Sequence, residues 1–550
     1  MTRTARGRRR LHLAQIAAVV LVAGLAACTT GPSGTTATDA ADSSGSSSEP
    51  QQGGTLTFAI GTDPISVNPQ GGGAGNDARY ITRQIVDSLV DQDPETGEIV
   101  PWLATSWEIN DDATAFTFTL REDVTFSDGT PFTAQSVVDT FEDIIANGAL
   151  ANTAISYFGD YTGASTDGEH TLTVTFSSPN APFLQALSEP ALAPIASASL
   201  EQSWEDRSVD GVIGTGPFVL DHYTQDSEVL LVARDDYAWP SPLSENPGAA
   251  YLEEVLFQIV PESSVRTGLL SSDQLDVIGS VPPQDKETLE SAGYPLISRA
   301  NPGRSYGLAP YTVDSLASEE AVRLAITHAL DRQALRDAAL TPDYAVATSV
   351  LADTTPGWVD LSELFAYDPA ESERLLEEAG WQIGEDGIRA RDGERLELVL
   401  AWQTNNAYNQ TVVELIQQQV LQVGIDLQLV SGTVPEITEG ETTGDYDFRY
   451  GNLSRADGDV LRTSFSSSIE RPFTAAVPEL DALLDQQRAI VDATPRNEVL
   501  AQAQELILEQ GLYVPTHQLT SVLATTAEVH GIVLGADARL GSLSSAWKER

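Results

Sequence analysis

Short stretches in which apolar and polar residues alternate recur along the chain and predict β-strands. In TLTFAI, the side chains of Leu56, Phe58 and Ile60 fall on one face. The stretches AFTFTL and TLTVTF, which begin at positions 115 and 171, alternate in the same way. A period of two residues is typical of a strand with one buried face. We therefore expect half-buried strands in all three segments.

Other stretches repeat their apolar residues every three or four positions and predict helices. The segment SEEAVRLAITHALDRQAL forms one apolar stripe at helical spacing. In YDPAESERLLEEAGW, Asp368 is expected to cap a helix whose first residue is Pro369. Glu371 is expected to complete a capping box with Asp368, and Gly380 to end the helix.

Helices and strands are also predicted to follow each other closely along the chain. The segment VVELIQQQVLQVGIDLQLV passes from a helical pattern through Gly424 into an alternating one. Thr494 and Pro495 are expected to open another helix near the C-terminus. No repeat of 20 to 50 residues recurs. Interleaved strands and helices predict an α/β fold.

The N-terminus has the pattern of an export signal. Five arginines and no acid occur in the first ten residues, and an apolar run then extends to Cys28. The run is short for a membrane-spanning helix, which is the alternative. LAAC at the end of the run resembles the lipobox of bacterial lipoproteins, so residues 1–27 are expected to be removed and Cys28 to carry lipid. The polar, small residues of 28–52 predict a disordered tether. Export by the Sec or the twin-arginine route remains open.

The net charge and the cysteine content limit the possible functions of the protein. The formal net charge is −50, and such a surface repels nucleic acid and anionic lipid head groups. The acids are spread along the sequence, which favours a general solubility role over a single acidic site. Cys28 is the only cysteine, so no internal disulfide can form.

The sequence contains no motif of a known catalytic or metal site. Histidines are not spaced as a metal pair, and a nucleophile elbow, a phosphate-binding loop and H-E-x-x-H are absent. We therefore predict no catalytic residue, no metal and no cofactor. A hydrolase that uses two of the many carboxylates stays as an alternative.

The chain resembles the family 5 extracellular solute-binding proteins of ABC importers, which include the oligopeptide, dipeptide and nickel-binding proteins. Several of its motifs match those of the family and occur in the same order. The most specific is PWLATSWEINDDATAFTFTLREDVTFSDGTPFTAQSVVDTFE at 101–142, supported by GTGPF at 214–218. The resemblance implies a two-lobed, periplasmic-binding-protein-like α/β fold of class II type with an extra inserted domain. The implied boundaries are 53–89, 211–300 and 510–550 for domain I, 90–210 for the inserted domain II, and 301–509 for domain III.

The resemblance also implies a function. The protein would be a monomer that is lipid-anchored on the extracytoplasmic face of the cell membrane. It would capture a small solute, most simply a peptide, between its lobes by hinge closure. It would then deliver the solute to the transmembrane subunits of an ABC permease. A secreted lipoprotein hydrolase and a solute sensor without transport are the alternatives.

One loop is expected to carry part of the solute site. In peptide binders of this family, an aspartate in a D-x-x-(D/E)-P loop holds the peptide's ammonium group, and GNLSRADGDVLRTSF at 451–465 matches that loop. Ala456 occupies the position of that aspartate, and Asp457 follows it. Arg455, if it faces the cleft, could hold a carboxylate or a phosphate by a bidentate fork; otherwise it balances Asp457 and Asp459.

Four further residues are candidate ligand contacts. The segment AWQTNN at 401–406 corresponds to a cleft-lining segment of the family. Trp402 could stack on the solute or belong to the core, and Asn405 could form a hydrogen bond with it. Tyr306, in RSYGLAP, and Asp63 complete the predicted set.

Overall fold

The computed structural model describes residues 49–71, 75–404, 408–469 and 474–550, apart from the side chain of Val434. The described elements belong to one compact unit, Pro50–Arg550. The predicted signal peptide, Cys28 and most of the predicted tether lie outside the described residues. None of the described helices is long and apolar enough to cross a membrane.

The described strands pair into sheets. In chain order they are β1 Thr55–Ile60, β2 Val90–Gln92, β3 Ile99–Pro101, β4 Ala104–Ile109, β5 Ala115–Leu120, β6 Tyr161–Thr166, β7 Thr171–Phe176, β8 Phe218–Thr224, β9 Glu228–Ala233, β10 Glu254–Ile259, β11 Val277–Ile278, β12 Leu296–Ala300, β13 Gly303–Pro310, β14 Gln382–Ile383, β15 Arg389–Arg391, β16 Glu394–Arg395, β17 Glu397–Gln403, β18 Asp426–Gly432, β19 Phe448–Ser454, β20 Val514–His517, β21 Thr520–Thr525, β22 Val529–His530 and β23 Trp547–Lys548.

Helices cover the faces of the sheets and connect their strands. In chain order they are α1 Gly75–Ile85, α2 Ala134–Asn147, α3 Asn152–Ile155, α4 Phe183–Ala186, α5 Ser197–Leu200, α6 Trp204–Asp210, α7 Ser263–Ser271, α8 Pro283–Ala292, α9 Glu320–Ala329, α10 Arg332–Ala339, α11 Pro369–Glu378, α12 Tyr408–Gln422, α13 Val434–Thr443, α14 Val460–Phe465, α15 Pro478–Arg488 and α16 Ala493–Glu509. The α/β composition agrees with the prediction.

A seven-stranded mixed sheet forms what we call the first lobe. Its strand order is β12-β21-β11-β1-β10-β9-β8, and β1 runs parallel to both β10 and β11. The predicted alternation of β1 is confirmed, because Leu56, Phe58 and Ile60 are fully buried in an apolar cluster with α1 and the C-terminal segment. This burial attaches α1 firmly to the sheet.

A four-stranded antiparallel sheet, β4-β5-β7-β6, forms what we call the insert. The predicted strands at 115–120 and 171–176 are its two central strands and pair with each other. Phe116, Phe176 and Phe183 pack edge to face in its core. Phe126 and Trp102 are buried in the same core.

A five-stranded sheet, β18-β17-β19-β13-β20, forms the second lobe. Strand β17 runs parallel to β18 and β19, and helix α12 packs against β18. The predicted boundaries assign 510–550 to the first lobe, but β20 pairs with β13 and therefore belongs to the second lobe's sheet. The boundaries of the three domains otherwise remain a proposal.

Two short, adjacent crossings join the lobes. Residues 301–302 separate β12 of the first lobe from β13 of the second, and residues 518–519 separate β20 from β21. The backbone N–H of Asn301 donates a hydrogen bond of 2.8 Å to the carbonyl oxygen of Leu519. The crossings therefore lie side by side, and we call them the hinge.

The helix termini confirm the predicted cap at Asp368 but not its capping box. Thr133 caps α2 in a capping box with Ser136. Asp368 caps α11 through the N–H groups of residues 370 and 371. The predicted box with Glu371 is wrong, because the N–H of Asp368 donates to the carbonyl oxygen of His328 and the Glu371 carboxylate pairs with Arg374.

Candidate functional site

A cavity of about 570 Å³ lies where the first lobe, the insert and one loop of the second lobe meet. Most of its wall comes from the first lobe and the insert, and Ala456 is its contribution from the second lobe. The principal lining segments are α1 and β2 with the turn that follows it, residues 185–190, residues 241–245 and residues 531–545. Its volume is in the range of small-molecule sites, roughly 300 to 1,000 Å³.

Helix α1 places two arginines, one turn apart, on the wall of this cavity. Its opposite face is buried against the first lobe's sheet. Close contact with GTGPF fixes its C-terminal end, since the N–H of Gly216 donates to the carbonyl oxygen of Ile85 at 2.9 Å. A Cβ at Gly216 would lie 2.5 Å from the carbonyl carbon of Ile85. The absence of a side chain at Gly216 thus allows the two backbones to approach closely.

The first arginine, Arg79, is part of an ionic network that is complete within the protein. It forms a short ion pair with Glu189, whose side chain is 3% exposed, and its guanidinium lies 4.0 Å from Asp537. Asp537 also pairs with Arg539 at 3.2 Å. Burial opposes ionisation of Asp537, but Arg539 and Arg79 hold the pKa of its carboxyl below the usual value.

The second arginine, Arg83, contacts only uncharged groups among the described residues. It donates to the hydroxyl oxygen of Ser88 at 2.9 Å and to the carbonyl oxygen of Ser188 at 2.5 Å. Its guanidinium stacks over the ring of Trp102 at 5.4 Å. These three contacts fix the planar group in one orientation at the cavity wall.

Asp91 brings a carboxylate to the same cavity from β2. It accepts hydrogen bonds from the hydroxyl of Ser241 and from the N–H of Gln92. No described cation lies within ion-pair distance of Asp91. Burial raises the pKa of its carboxyl, and the Ser241 hydrogen bond and the charge of Arg83 offset part of that rise.

A second carboxyl, Asp87, lies behind the cavity wall. It is fully buried and accepts hydrogen bonds from the hydroxyl of Tyr237 at 3.2 Å and from the indole N–H of Trp239 at 3.1 Å. Burial raises the pKa of Asp87 to about 7, against the opposing influence of Arg83. Much of the Asp87 population therefore carries a proton at neutral pH, so it is an incomplete counterion for Arg83.

The two lobes are in contact around the cavity. The side-chain amide of Gln92 donates to the carbonyl oxygen of Ala456 at 3.1 Å, and the N–H of Ala181 donates to the carbonyl oxygen of Arg488 at 2.8 Å. Lys286 and Asp343 form a short ion pair nearer the hinge. These bonds join the second lobe to both the insert and the first lobe, so the structure is a closed form.

The loop expected to bind solute takes part in this closure. Arg455 donates to the hydroxyl of Ser156 in the insert at 2.8 Å and stacks over the ring of Tyr157 at 4.4 Å. Asp457 is 6% exposed and forms a bidentate ion pair with Arg496 at 2.5 and 2.7 Å. Burial opposes ionisation of Asp457, but Arg496 keeps its pKa below the usual value.

Of the other predicted site residues, Trp402, Tyr306 and Asp63 are described, and they do not line the cavity. Trp402, which is 7% exposed, and Tyr306, which is 2% exposed, are in the core of the second lobe. Asp63 accepts hydrogen bonds from the hydroxyl of Tyr223 and the N–H of Asp226 and so ties its loop to the β8–β9 hairpin. Asn405 and the lipid-attachment candidate Cys28 lie outside the described residues. Ligand contact by any of these residues stays a prediction.

Sequence reasoning missed Arg79, Arg83 and Asp91 as site residues. One signal was present, since two arginines four positions apart in NDARYITRQI share a helix face with no acid on that face between them. Nothing local marks Asp91, whose role depends on the distant Ser241. Among the described residues, no group of three or more histidine, cysteine or acidic side chains could hold a metal ion.

Comparison with known proteins identifies a family model and relatives that match this chain. The model of the bacterial extracellular solute-binding proteins, family 5 Middle, matches residues 98–467. The nickel-binding periplasmic protein of Escherichia coli is 25% identical over 79% of this chain and 84% of its own length. The dipeptide-binding protein of Pseudomonas aeruginosa is 24% identical over 88% and 93%, respectively.

Solved structures agree with this assignment. NikA from Brucella suis in complex with Fe(III)-EDTA superposes with a TM-score of 0.78 and 25% identity, over 90% of this chain and 100% of that one. The oligopeptide-binding protein AppA from Bacillus subtilis, in complex with a nonapeptide, has a TM-score of 0.75 at 20% identity, over 91% and 100%. The predicted two-lobed fold is thus confirmed. Because the family model spans more than half of the residues, the chain belongs to the family 5 bacterial extracellular solute-binding proteins.

Proposed function

We propose that the protein is the lipid-anchored substrate-binding component of an ABC importer and that it captures a peptide in the cavity between its lobes. The observation that carries the proposal is the cavity itself, which Ala456 of the second lobe helps to line and where the side-chain amide of Gln92 donates to the carbonyl oxygen of Ala456. A solute that touches both lobes binds the closed form better and shifts the population towards it. Relatives named for dipeptide binding support the choice of cargo.

The rest of the proposal follows from this mechanism. The closed form is the species that the transmembrane subunits of the permease accept. The protein acts as a monomer. Lipid at Cys28 keeps the receptor at the extracytoplasmic face of the membrane, where two or more acyl chains give stable anchoring. The protein binds its solute without altering it.

A thermal-shift panel of peptides, sugars and metal chelates tests solute capture. A specific ligand stabilises the folded protein by about 2.7 kcal/mol at 100 times its Kd. We expect at least one peptide to raise the Tm and small-angle scattering to detect compaction on binding. If no member of the panel and no fraction of a metabolite extract raises the Tm, the proposal fails. Chemical change of a bound compound would favour a hydrolase instead.

Uptake measurements separate an importer from a sensor. Cells that lack the gene should take up the isotope-labelled ligand more slowly than cells that carry it. Equal uptake in both strains, with binding intact, would show that the protein senses the solute without transporting it.

A further inference from the structure

We propose that the cavity is built for a zwitterion with free ends, whose carboxylate pairs with Arg83 and whose ammonium pairs with Asp91. The inference rests on the proposed solute-binding function and names the ligand class of that cavity. It assigns both ends of the ligand to the first lobe and its junction with the insert, in place of the 451–465 loop on which the peptide contact was expected.

The first step is the pairing of charges along the cavity wall. Arg79 and Arg539 already have carboxylate partners in Glu189 and Asp537. Arg83, which lines the same wall, has no carboxylate within ion-pair distance among the described residues. A partly buried cation without a counterion is costly, and an anionic group of the ligand removes that cost.

The second step is the geometry of the Arg83 group. Two of its N–H groups are used by Ser88 and Ser188, and Trp102 holds the guanidinium plane from one side. A guanidinium fixed in this way loses little side-chain entropy when it binds, and its planar fork matches a carboxylate.

The third step concerns the opposite charge. Asp91 lines the cavity and is oriented by the hydroxyl of Ser241, and no described lysine or arginine pairs with it. A carboxylate can accept about four hydrogen bonds, and the contacts from Ser241 and Gln92 account for two of them. An ammonium group supplies both the missing donors and the missing charge.

The loop of the second lobe does not provide an alternative ammonium partner among its described residues. Ala456 lines the cavity but has only an apolar side chain, and the Asp457 carboxylate already forms an ion pair with Arg496. Asp459 is paired in the same way with Arg462. Asp93 and Glu245 also line the cavity, but Asp93 accepts the N–H groups of residues 95 and 96 in its own turn and Glu245 is exposed. Asp91 on β2 is therefore the carboxylate that we assign to the amine.

Capped peptides test this assignment. The purified protein is mixed with equal amounts of four pools, namely dipeptides with free ends, the same dipeptides N-acetylated, the same dipeptides C-amidated, and neutral disaccharides. Native mass spectrometry identifies the compounds retained. We expect the free-end pool to be retained and each cap to weaken binding at least about tenfold, which is about 1.4 kcal/mol.

Two variants assign each end. In Arg83→Gln, the free acid and the amide of one dipeptide should bind within about twofold of each other. In Asp91→Asn, the same should hold for the free amine and its acetylated form. Each comparison is made within one variant, so a general loss of stability does not change the ratio. Arg121→Gln and Asp123→Asn remove an ion pair of 2.7 Å outside the cavity lining and should keep both preferences.

The results separate the inference from the proposed function. Equal retention of capped and free peptides, or preference for disaccharides, overturns the inference and leaves solute binding intact. The same holds if a compound retained from a metabolite extract lacks an ammonium or a carboxylate. Failure to retain any pool or any compound from the extract overturns the proposed function.

Discussion

At the scale of single residues, Arg455 connects the second lobe to the insert by two contacts of different kinds. One is a hydrogen bond to Ser156, and the other is a stacking contact with the ring of Tyr157. Both exist only while the lobes are together. Arg455 therefore contributes to affinity through the closed form, whether or not it touches the solute.

Replacing Arg455 by alanine should weaken solute binding by about thirtyfold, because a cation–π contact and a hydrogen bond are each worth about 1 kcal/mol. Calorimetric titration with a ligand from the panel measures the Kd. Arg395→Ala, which removes a half-exposed arginine in the three-stranded sheet β14-β15-β16, is the matched control and should not change the Kd. An unchanged Kd in Arg455→Ala would mean that this contact does not contribute to closure.

His517 makes the stability of the second lobe depend on pH. It is 2% exposed, stacks on Tyr306 at 4.9 Å, and burial lowers its pKa to about 3 from the ordinary 6.5. Below pH 6.5 the imidazole of His517 is protonated in the unfolded chain but stays neutral in the folded protein. The free energy of unfolding therefore falls as pH decreases towards 3. This contribution is absent above pH 6.5.

His517→Gln should therefore flatten the acid side of the stability profile by up to about 1.4 kcal/mol per pH unit. Urea unfolding at several pH values between 7 and 4 measures the slope. His530→Gln, which removes a half-buried histidine paired with Glu549, serves as the control. Identical slopes for wild type and His517→Gln would contradict a buried neutral imidazole.

Site residues were harder to predict from sequence than buried ones. The apolar side chains of Phe116, Phe118 and Leu120 are buried as their alternation predicts. The loop of Arg455 was found by its resemblance to the family, but its contacts with Ser156 and Tyr157 depend on closure. Arg83 and Asp91 became visible only when folding brought together partners about a hundred residues or more apart.

At the scale of elements, helix α1 is positioned by the GTGPF segment, whose glycines lie against its last turn. A Cβ at Gly214 would lie 2.2 Å from the carbonyl oxygen of Ile85, and one at Gly216 would lie 2.6 Å from that of Gln84. Neither contact can relax by moving a flexible side chain. The position of the α1 arginines therefore depends on these two glycines.

Gly216→Ala should lower the free energy of unfolding by about 1–3 kcal/mol, as overpacking does, and should weaken solute binding because α1 moves. Thermal melts and calorimetric titration of the same sample measure both effects. Gly268→Ala is the control, since its added methyl group meets nothing within 4 Å and alanine favours the helix. A Gly216→Ala protein with the wild-type Tm would contradict the close packing.

Elements with strict periodicity were predictable, and their termini were less so. The strands at 55–60, 115–120 and 171–176 match the alternating stretches residue for residue. The last long helix begins at Ala493, next to the predicted Thr494. The capping box at Glu371 failed because the N–H of Asp368 found a partner in another helix, and such a tertiary contact cannot be read from local sequence.

At the scale of the whole molecule, lipid at Cys28 would keep a strongly acidic protein beside the membrane. The net charge of −50 repels anionic lipids, so the acyl chains must provide the attachment. We expect Cys28→Ser to move the protein from the membrane fraction to the medium or to leave its signal uncleaved. Thr29→Ser, one residue away, should remain in the membrane fraction. Unchanged membrane retention of Cys28→Ser would exclude the anchor.

The hinge leaves the molecule little freedom in how it moves. Two connections of two residues each, joined by the bond from Asn301 to Leu519, permit rotation about essentially one axis. Every contact that spans the two lobes therefore acts on the same rotation. Solutes of different shape can produce the same final arrangement of the lobes, so a single membrane partner could recognise every cargo by one geometry.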